Sequence, residues 1–496
     1  MAFNNQDDLA TSEPAGKGGC RGRKLPRWLV IVAGVLLGLG VVFAAIVYPT
    51  LKYTVWKDKL DDTGSGDGGS NGGGGGGSGG GSKSPGNKWI DPDTPDELKA
   101  KKMEDGSEYK LVFSDEFNKD GRSFHPGKDK IWEAVNLHYW QTGDYEHYHP
   151  DQVTTKNGSM QITIEKKRFG NQDYMSGMVQ TWNNFCFRGG YLEARVSLPG
   201  SARVSALWPA VWTMGNLGRA GYGASTDGLW PYSYDSCDSS VLPNQGSNNG
   251  LSRLPGQRLN KCLCSDQDTP SAGIGRASPE LDLIEGAGGD GGNSGGGTVS
   301  QSHQFAPFDA EYTVQEQYVT VHNSATTYKN SYKGAQLQQA VSVKTKIPDQ
   351  YYDGRDYLTY AFDYVPGPKG SARWYVGGEK KWTLDARAVA PNTRSNTGQR
   401  VISEEPMYII MNVGMSQGFG HVDLENARFP ATMYVDYVRI YQHPDRIDVT
   451  CDPKDRPTKQ YIKDHPKLYN DPTLQNFTQS GYPLPQYSLN PQCSAS

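Results

Sequence analysis

The chain has 496 residues, which is enough to bury a substantial core in one large domain or in two of ordinary size. Its formal net charge is −4 with 21% of the residues charged, so it lacks the basic excess that neutralising a phosphate backbone requires, which argues against nucleic acid as a partner. Aromatic residues make up 11% of the chain, and their rings either fill a β-rich core or stack on the faces of sugars.

An uncharged run near the N-terminus, Trp28 to Tyr48, predicts a transmembrane helix, because its 21 residues are long enough to cross a bilayer core. Basic residues precede the run, and acids accompany the lysines that follow it, which favours a cytoplasmic tail at 1–27. We therefore expect a single-pass type II membrane protein of the secretory pathway, in the endoplasmic reticulum, Golgi or plasma membrane, with its main domain lumenal or extracellular. A cleaved signal peptide is the alternative, against which the length of the apolar run argues.

A flexible, Gly/Ser-rich linker and stem is predicted at 49–108. Between Thr63 and Gly86 the composition is dominated by Gly and Ser, with six consecutive glycines from Gly72 to Gly77, and such a sequence buries too little surface to fold. Further along, the sequons that begin at Asn157 and Asn476 predict N-glycosylation, as expected of a chain that passes through the secretory pathway.

An all-β domain is predicted from 109 to 442. Short runs rich in Tyr, Val, Thr and Ile recur between Gly, Pro and Asn, for example Gln161 to Glu165 and Met407 to Met411. A Pro- and Tyr-rich C-terminal extension, 443–496, follows this domain.

Six of the seven cysteines follow the apolar run, which is the even number that disulfides in an oxidising compartment require. The sequence does not choose among their pairings, although one pair is expected to hold the C-terminal extension. Cys262 and Cys264 are too close for an ordinary zinc pair and have no nearby histidine, so no metal site is expected there. The six are Cys186, Cys237, Cys262, Cys264, Cys451 and Cys493.

Three acids interrupt a run that otherwise reads as a strand, from Glu280 through Asp282 to Glu285. In a regular strand Glu280 and Asp282 share a face while Glu285 falls on the other, and one extra residue in a β-bulge brings all three together. Clustered acids are costly unless they serve a site, and a close pair of carboxyl groups is the arrangement of retaining glycoside chemistry. An edge strand that displays its charges to solvent is the alternative.

The acidic strand resembles the bulged catalytic strand of glycoside hydrolase family 16, a family of concanavalin-like β-jelly-roll sandwiches that act on β-glucans and galactans. Other segments are similar to that family in the same order, and together they cover about residues 110 to 442. They are Val112–Asn118, Tyr174–Met178, Phe187–Arg195, Leu207–Trp212 and Phe429–Tyr441. Three more segments resemble the fungal branch associated with β-1,6-glucan synthesis, namely Trp132–Gly143, Asp227–Asp238 and Gln304–Phe308.

The resemblance implies a membrane-anchored retaining β-glucan hydrolase or transglycosylase of fungal cell wall biogenesis. Glu280 would be the nucleophile, Glu285 the acid that later acts as a base, and Asp282 the residue that hydrogen-bonds the nucleophile. That branch usually carries a long cytoplasmic tail, whereas 27 residues precede Trp28 here, so we expect the sorting signals of such a tail to be absent or different.

Five further residues are candidates for substrate binding. Trp208, Trp212 and Trp230 are predicted sugar platforms, with plain core packing as the alternative for each. Glu193 and Arg195 alternate along a strand and either face the cleft or form a cross-strand ion pair.

Two functions of other classes remain open. One is a non-catalytic glucan-binding scaffold or chaperone, against which the three carboxyl groups argue, and the other is an anchor that recruits wall enzymes through its loops. No cofactor is expected, since no dinucleotide, phosphate-loop or zinc motif is present, and no motif locates a structural calcium ion. β-Glucan and the membrane are the expected partners.

Overall fold

The computed structural model describes residues 88–237, 256–289, 296–306, 314–334, 338–391, 398–488 and 493. The predicted cytoplasmic tail and the predicted span at Trp28 to Tyr48 lie outside these residues. Within them, no helix has the length and apolar character needed to cross a bilayer.

The strands of the described part are short and lie mostly between 100 and 442. In chain order they are β1 (Ala100–Lys102), β2 (Glu108–Asp115), β3 (Glu133–Ala134), β4 (Leu137–His138), β5 (Glu146–Tyr148), β6 (Val153–Lys156), β7 (Ser159–Ile164), β8 (Tyr174–Ser176), β9 (Met178–Gln180), β10 (Gly190–Ser197), β11 (Trp208–Gly215), β12 (Glu280–Ala287), β13 (Gly297–Phe305), β14 (Val319–Val321), β15 (Thr327–Lys329), β16 (Gln339–Ile347), β17 (Leu358–Val365), β18 (Ser371–Val376), β19 (Glu379–Asp385), β20 (Met407–Gly414) and β21 (Ala431–Gln442). The helices are α1 (Gly223–Thr226), α2 (Lys459–Asp464) and α3 (Pro466–Asn470).

Two antiparallel sheets form a sandwich, which confirms the all-β prediction. The first sheet has the order β1-β2-β21-β10-β17-β18-β19-β14, with β7 and β6 attached to β21. The second, here called the cleft sheet, has the order β15-β16-β13-β12-β11-β20-β9-β3. A small third sheet, β4-β5-β8, continues beside it, and its β5–β8 pair is parallel.

Alternation along the strands builds the core between the two sheets. In β10, Leu192, Ala194 and Val196 face the core, whereas Tyr191 packs in a separate aromatic cluster on the outer face. Trp374 of the first sheet donates its indole N–H to the backbone carbonyl of Asp282 at 2.9 Å, which ties that sheet to the strand that carries the acids. The acids therefore stand on a strand whose other face is anchored in the core.

Strand β20 is buried on both faces, which explains its largely apolar sequence. Ile409 and Met411 pack in the main core between the sheets. Tyr408 and Ile410 pack on the opposite face in a second apolar cluster with Leu137. Part of the outer face of the cleft sheet is therefore covered by other segments of the chain.

The predicted stem and extension both contribute to the folded body. β1 lies within the predicted stem and pairs with β2 at the edge of the first sheet. In the extension, α2 and α3 pack against α1 through an apolar cluster that includes Ala224 and Leu468. Three disulfides are present, as the cysteine count allows, and two of them hold the extension: Cys186–Cys451, Cys237–Cys262 and Cys264–Cys493.

Candidate active site

Strand β12 carries the predicted bulge. Its register with β13 and with β11 shifts between Asp282 and Glu285, because Leu283 has no partner in either pairing. Leu281, Leu283 and Ile284 face the main core. The shift therefore brings Glu280, Asp282 and Glu285 to the same face, and all three line a cleft on the outside of the cleft sheet.

Glu280 accepts hydrogen bonds from two sides. The indole N–H of Trp230 donates to its Oε2. The carboxyl of Asp282 also hydrogen-bonds it. The Oδ2 of Asp282 in turn accepts a hydrogen bond from the Nε2 of Gln304 at 3.1 Å.

Glu285 is held by the indole of Trp208, whose N–H donates to its Oε1 at 3.2 Å. The indole ring stacks on Phe419, with the ring centroids 4.4 Å apart. This stacking limits the orientations of the ring and so keeps the N–H directed at the carboxyl group.

Burial raises the pKa of all three carboxyl groups. The pKa of Glu280 rises to about 7, because burial and the charge of Glu285 outweigh the hydrogen bonds from Asp282 and Trp230. The pKa of Asp282 rises well above its ordinary value through burial and the charge of Glu280. The pKa of Glu285 likewise rises, through burial and the charge of Asp282. All three carboxyl groups are therefore shifted towards their neutral forms.

The cleft has a volume of about 360 Å³, which lies within the usual range of small-molecule sites. All three predicted platforms, Trp208, Trp212 and Trp230, line it. Two of them donate to the acids, whereas the indole N–H of Trp212 donates to the Oδ1 of Asn412 at 2.8 Å. Polar hydrogen-bonding edges and aromatic surface thus occur together, as expected of a sugar site.

The structure does not bring Glu193 and Arg195 to this cleft. Both stand on β10 of the first sheet, on the face that points away from the core and from the cleft sheet. Glu193 accepts a hydrogen bond from the Nζ of Lys101 at 2.9 Å, and Arg195 donates one to Asp436 at 2.5 Å. Glu193 and Arg195 thus form ion pairs on a sheet face, which was the alternative to a place in the cleft.

One wall of the cleft was not predicted from the sequence. It is formed by Tyr139–Thr142 together with Asp144 and Tyr148. Asp144 forms a hydrogen-bonded pair of acids with Glu146, and burial raises the pKa of both. In the sequence, only the family resemblance of Trp132–Gly143 points to this segment, and no local pattern marks it as part of a site.

The two sequons lie at the surface in different settings. Asn157 is exposed in the turn between β6 and β7, with a φ of 54°. Asn476 precedes a short 3-10 helix, and its Oδ1 accepts hydrogen bonds from Thr478 and from the backbone N–H of Gln479. Among the described residues, no group of three or more His, Cys, Asp or Glu is arranged to hold a metal ion.

The chain matches the family described as "Beta-glucan synthesis-associated protein SKN1/KRE6/Sbg1" over residues 20–493. It is 44% identical over 471 residues to the β-glucan synthesis-associated protein KRE6 of Saccharomyces cerevisiae, covering 94% of this chain and 64% of that protein. It is 45% identical over 414 residues to SKN1 of the same organism, covering 82% of this chain and 53% of that protein. The chain therefore spans less than two thirds of the length of these relatives.

Two glucanases are among the solved structures that resemble the fold. The catalytic domain of an endo-1,3-beta-glucanase (laminarinase) from Thermotoga petrophila has a TM-score of 0.41 and 20% identity, covering 68% of this chain and 99% of that one. The endo-beta-1,3-glucanase of Pyrococcus furiosus has a TM-score of 0.42 and 17% identity, covering 69% of this chain and 98% of that one.

Proposed function

The chain belongs to the β-glucan synthesis-associated SKN1/KRE6/Sbg1 family, and we propose that it is a retaining enzyme that cleaves β-glucan and transfers the glycosyl unit to water or to another glucan. The observation that carries this proposal is the placement of Glu280, Asp282 and Glu285 on one face of a bulged strand, inside a cleft lined with tryptophans. The motifs of glycoside hydrolase family 16 in the same chain support the same chemistry.

In the first step the carboxylate of Glu280 attacks the anomeric carbon, and a covalent bond forms between Glu280 and the sugar. The bond from that carbon to the glycosidic oxygen breaks, and Glu285 gives its proton to the departing oxygen. In the second step Glu285 takes a proton from water or from a sugar hydroxyl, whose oxygen displaces Glu280. The outcome is hydrolysis or transglycosylation, according to which acceptor arrives.

The electrostatics of the cluster support these roles. Glu280 has to be charged, and hydrogen bonds from Trp230 and Asp282 favour its charged form. Glu285 has to be protonated at the start, and burial favours its neutral form. Burial and the charge of Glu280 favour the neutral form of Asp282, and in that form it donates a hydrogen bond to the nucleophile without competing for the sugar.

The apolar run at Trp28 to Tyr48 supports a further part of the proposal, a type II membrane anchor that holds the enzyme on the lumenal or extracellular side of the secretory pathway. Predicted N-glycosylation at Asn157 and Asn476 accords with that location. An anchored β-glucan enzyme at this place would serve fungal cell wall biogenesis.

A test uses the full-length protein in detergent with β-1,3- and β-1,6-linked gluco-oligosaccharides, followed by mass spectrometry. We expect longer or shorter products from the wild type and none from Glu280→Gln. A 2-deoxy-2-fluoroglucosyl substrate with an activated leaving group, in which the second step is slowed, should leave a 2-deoxy-2-fluoroglucosyl mass on the peptide that contains Glu280. If neither protein forms products and both bind the saccharides equally, the enzyme proposal is wrong and a glucan-binding scaffold takes its place.

A further inference from the structure

The cleft is closed on the side of β20 and β9 by the segment Tyr139–Thr142, here called the end wall. Tyr139 packs in the second apolar cluster, on the outer face of the cleft sheet, with Tyr148 and Met178. All four residues of the segment line the cleft. The end wall therefore stands over the strands that continue the sheet beyond the catalytic acids.

The end wall is attached to both rims of the cleft. On one rim, Gly223 of α1 approaches so closely that a Cβ placed on it would lie 2.6 Å from the Cζ2 of Trp140 and 2.7 Å from the carbonyl oxygen of Gln475. On the other rim, Ser416 donates its hydroxyl to the carbonyl oxygen of Thr142 at 2.5 Å. These contacts join the wall to α1, which lies against the C-terminal extension, and to the loop after β20, so it closes this side of the cleft.

A glucan that reacts at this site would run towards the end wall. The two carboxyl groups flank the scissile bond, and Glu280 and Glu285 both stand on β12, so a chain that passes between them crosses the strands. From β12 towards the wall the sheet continues through β11 and β20. Two strand spacings amount to roughly 10 Å, which leaves room for a short end of a glucan and not for a continuing chain.

Polar atoms in the end wall have no partner within the described part of the chain. The indole Nε1 of Trp140 and the Oε1 of Gln141 are both buried without a hydrogen bond. A buried donor or acceptor without a partner is unfavourable. A glucan end seated against the wall would supply a hydroxyl as the partner once the two side chains turn towards it. We propose that the end wall binds the terminal unit of a glucan, so that the enzyme acts at a chain end. This inference rests on the proposed function, whose glucan site it makes more specific.

The proposal is tested first by binding, with full-length Glu280→Gln in detergent. The probes are linear β-gluco-oligosaccharides and a cyclic β-(1→3),(1→6)-glucan, which has no chain end. We expect the linear probes to bind and the cyclic one to bind at least tenfold more weakly. Equal affinity for both overturns the proposal, and so does the absence of binding to either.

Variants of the wall separate a direct contact from a general loss of structure. Trp140→Phe, added to Glu280→Gln, keeps an aromatic ring in the wall but removes its N–H, and it should weaken binding of the linear probes roughly tenfold. Trp182→Phe is the matched control, because the N–H of Trp182 donates to the carbonyl oxygen of Asn216 and not into the cleft. Unchanged binding by the Trp140 variant, or an equal loss in the control, contradicts the proposed contact.

Products formed by the wild type distinguish the two proposals. Release of small sugars from a long linear glucan, with little change in the length of the remaining polymer, supports both the enzyme proposal and action at a chain end. Cleavage within the polymer overturns action at a chain end and leaves the enzyme proposal standing. If the wild type forms no product while linear probes still bind in preference to the cyclic one, the enzyme proposal fails and the end wall keeps its role in binding.

Discussion

Trp208 and Glu285 are joined by a hydrogen bond in which the indole N–H donates to the carboxyl Oε1 over 3.2 Å. The indole plane lies within 4° of the plane of Phe419, so the ring is fixed by stacking while its N–H is directed at the acid. This bond lowers a pKa that burial and the charge of Asp282 raise. The same side chain therefore forms part of the cleft surface and adjusts the acidity of the proposed proton donor.

Replacing Trp208 by Phe should change the pH dependence of the enzyme on its alkaline side. The variant keeps a ring for stacking but loses the N–H, so the pKa of Glu285 rises further and the alkaline limb of kcat/KM moves to higher pH. The second step uses the charged form of Glu285, which loses a hydrogen bond, so kcat should fall roughly tenfold. Trp212→Phe is the control, since that indole donates to Asn412. The same shift of the limb in both variants would contradict the assignment.

Replacing Trp230 by Phe should act on the acidic side instead. Glu280 has a pKa of about 7, and the bond from Trp230 is one of the two that lower it. Without that bond the pKa of the nucleophile rises above about 7, and the acidic limb of kcat/KM moves to higher pH. The ratio of activity at pH 6 to activity at pH 8 should therefore fall. Trp182→Phe, in which no acid loses a donor, should leave this ratio unchanged, and a wild-type ratio in the Trp230 variant would disprove the link.

The acidic strand shows which part of the site can be predicted from the sequence alone. Two short-range facts, the alternation of side chains and one extra residue, were enough to predict that Glu280, Asp282 and Glu285 share a face. The structure contains that bulge. Local spacing is sufficient here because all three residues stand on one strand, and their relative positions depend on no other part of the chain.

Features that depend on distant contacts were not predictable in the same way. Alternation established that Glu193 and Arg195 share a face of one strand, but not which of the two sheets contains that strand. The end wall at Tyr139–Thr142 is held by Gly223 and Ser416, which are far away in the sequence. Contacts of this kind follow from how the chain folds back on itself, and no local pattern encodes them.

Glu280→Gln should make the folded protein more stable at neutral pH, because the wild type has to bury a carboxyl group. The pKa of Glu280 is about 7 in the folded state and 4.5 as its ordinary value, so the folded state binds more protons between these pH values and wild-type stability falls as pH rises through them. Relative to wild type, the variant should gain little near pH 4.5 and up to about 3 kcal/mol above pH 7. Urea unfolding at pH 5 and pH 8 measures the difference.

The exposed residue Glu97 provides the control for this measurement. Glu97→Gln should give the same unfolding free energy as wild type at both pH values, since no buried group is changed. If the gain of Glu280→Gln over wild type is no larger at pH 8 than at pH 5, the carboxyl of Glu280 is not the group that its burial destabilises.

The buried ion pair of Arg276 and Glu405 should be required for folding of the region that attaches the C-terminal extension. Arg276 is fully buried and donates two hydrogen bonds to Glu405, each of 2.8 Å. It also donates to the backbone carbonyl oxygens of Arg456 and Pro457 at the start of the extension. Arg276→Met leaves the charge of Glu405 buried without compensation, so the free energy of unfolding should fall by about 3–5 kcal/mol.

Two comparisons distinguish loss of this pair from loss of any arginine. Arg387 pairs with Asp385 at the surface, with 65% of its side chain exposed, so Arg387→Met should cost less than about 1 kcal/mol. Replacing both Arg276 and Glu405 by Met removes the unpaired charge, and the double variant should be more stable than Arg276→Met alone. Denaturant unfolding of the three variants provides the values. If the double variant is no more stable than Arg276→Met, the unpaired charge of Glu405 does not cause the loss of stability. The hydrogen bonds from Arg276 to the backbone of the extension then account for it.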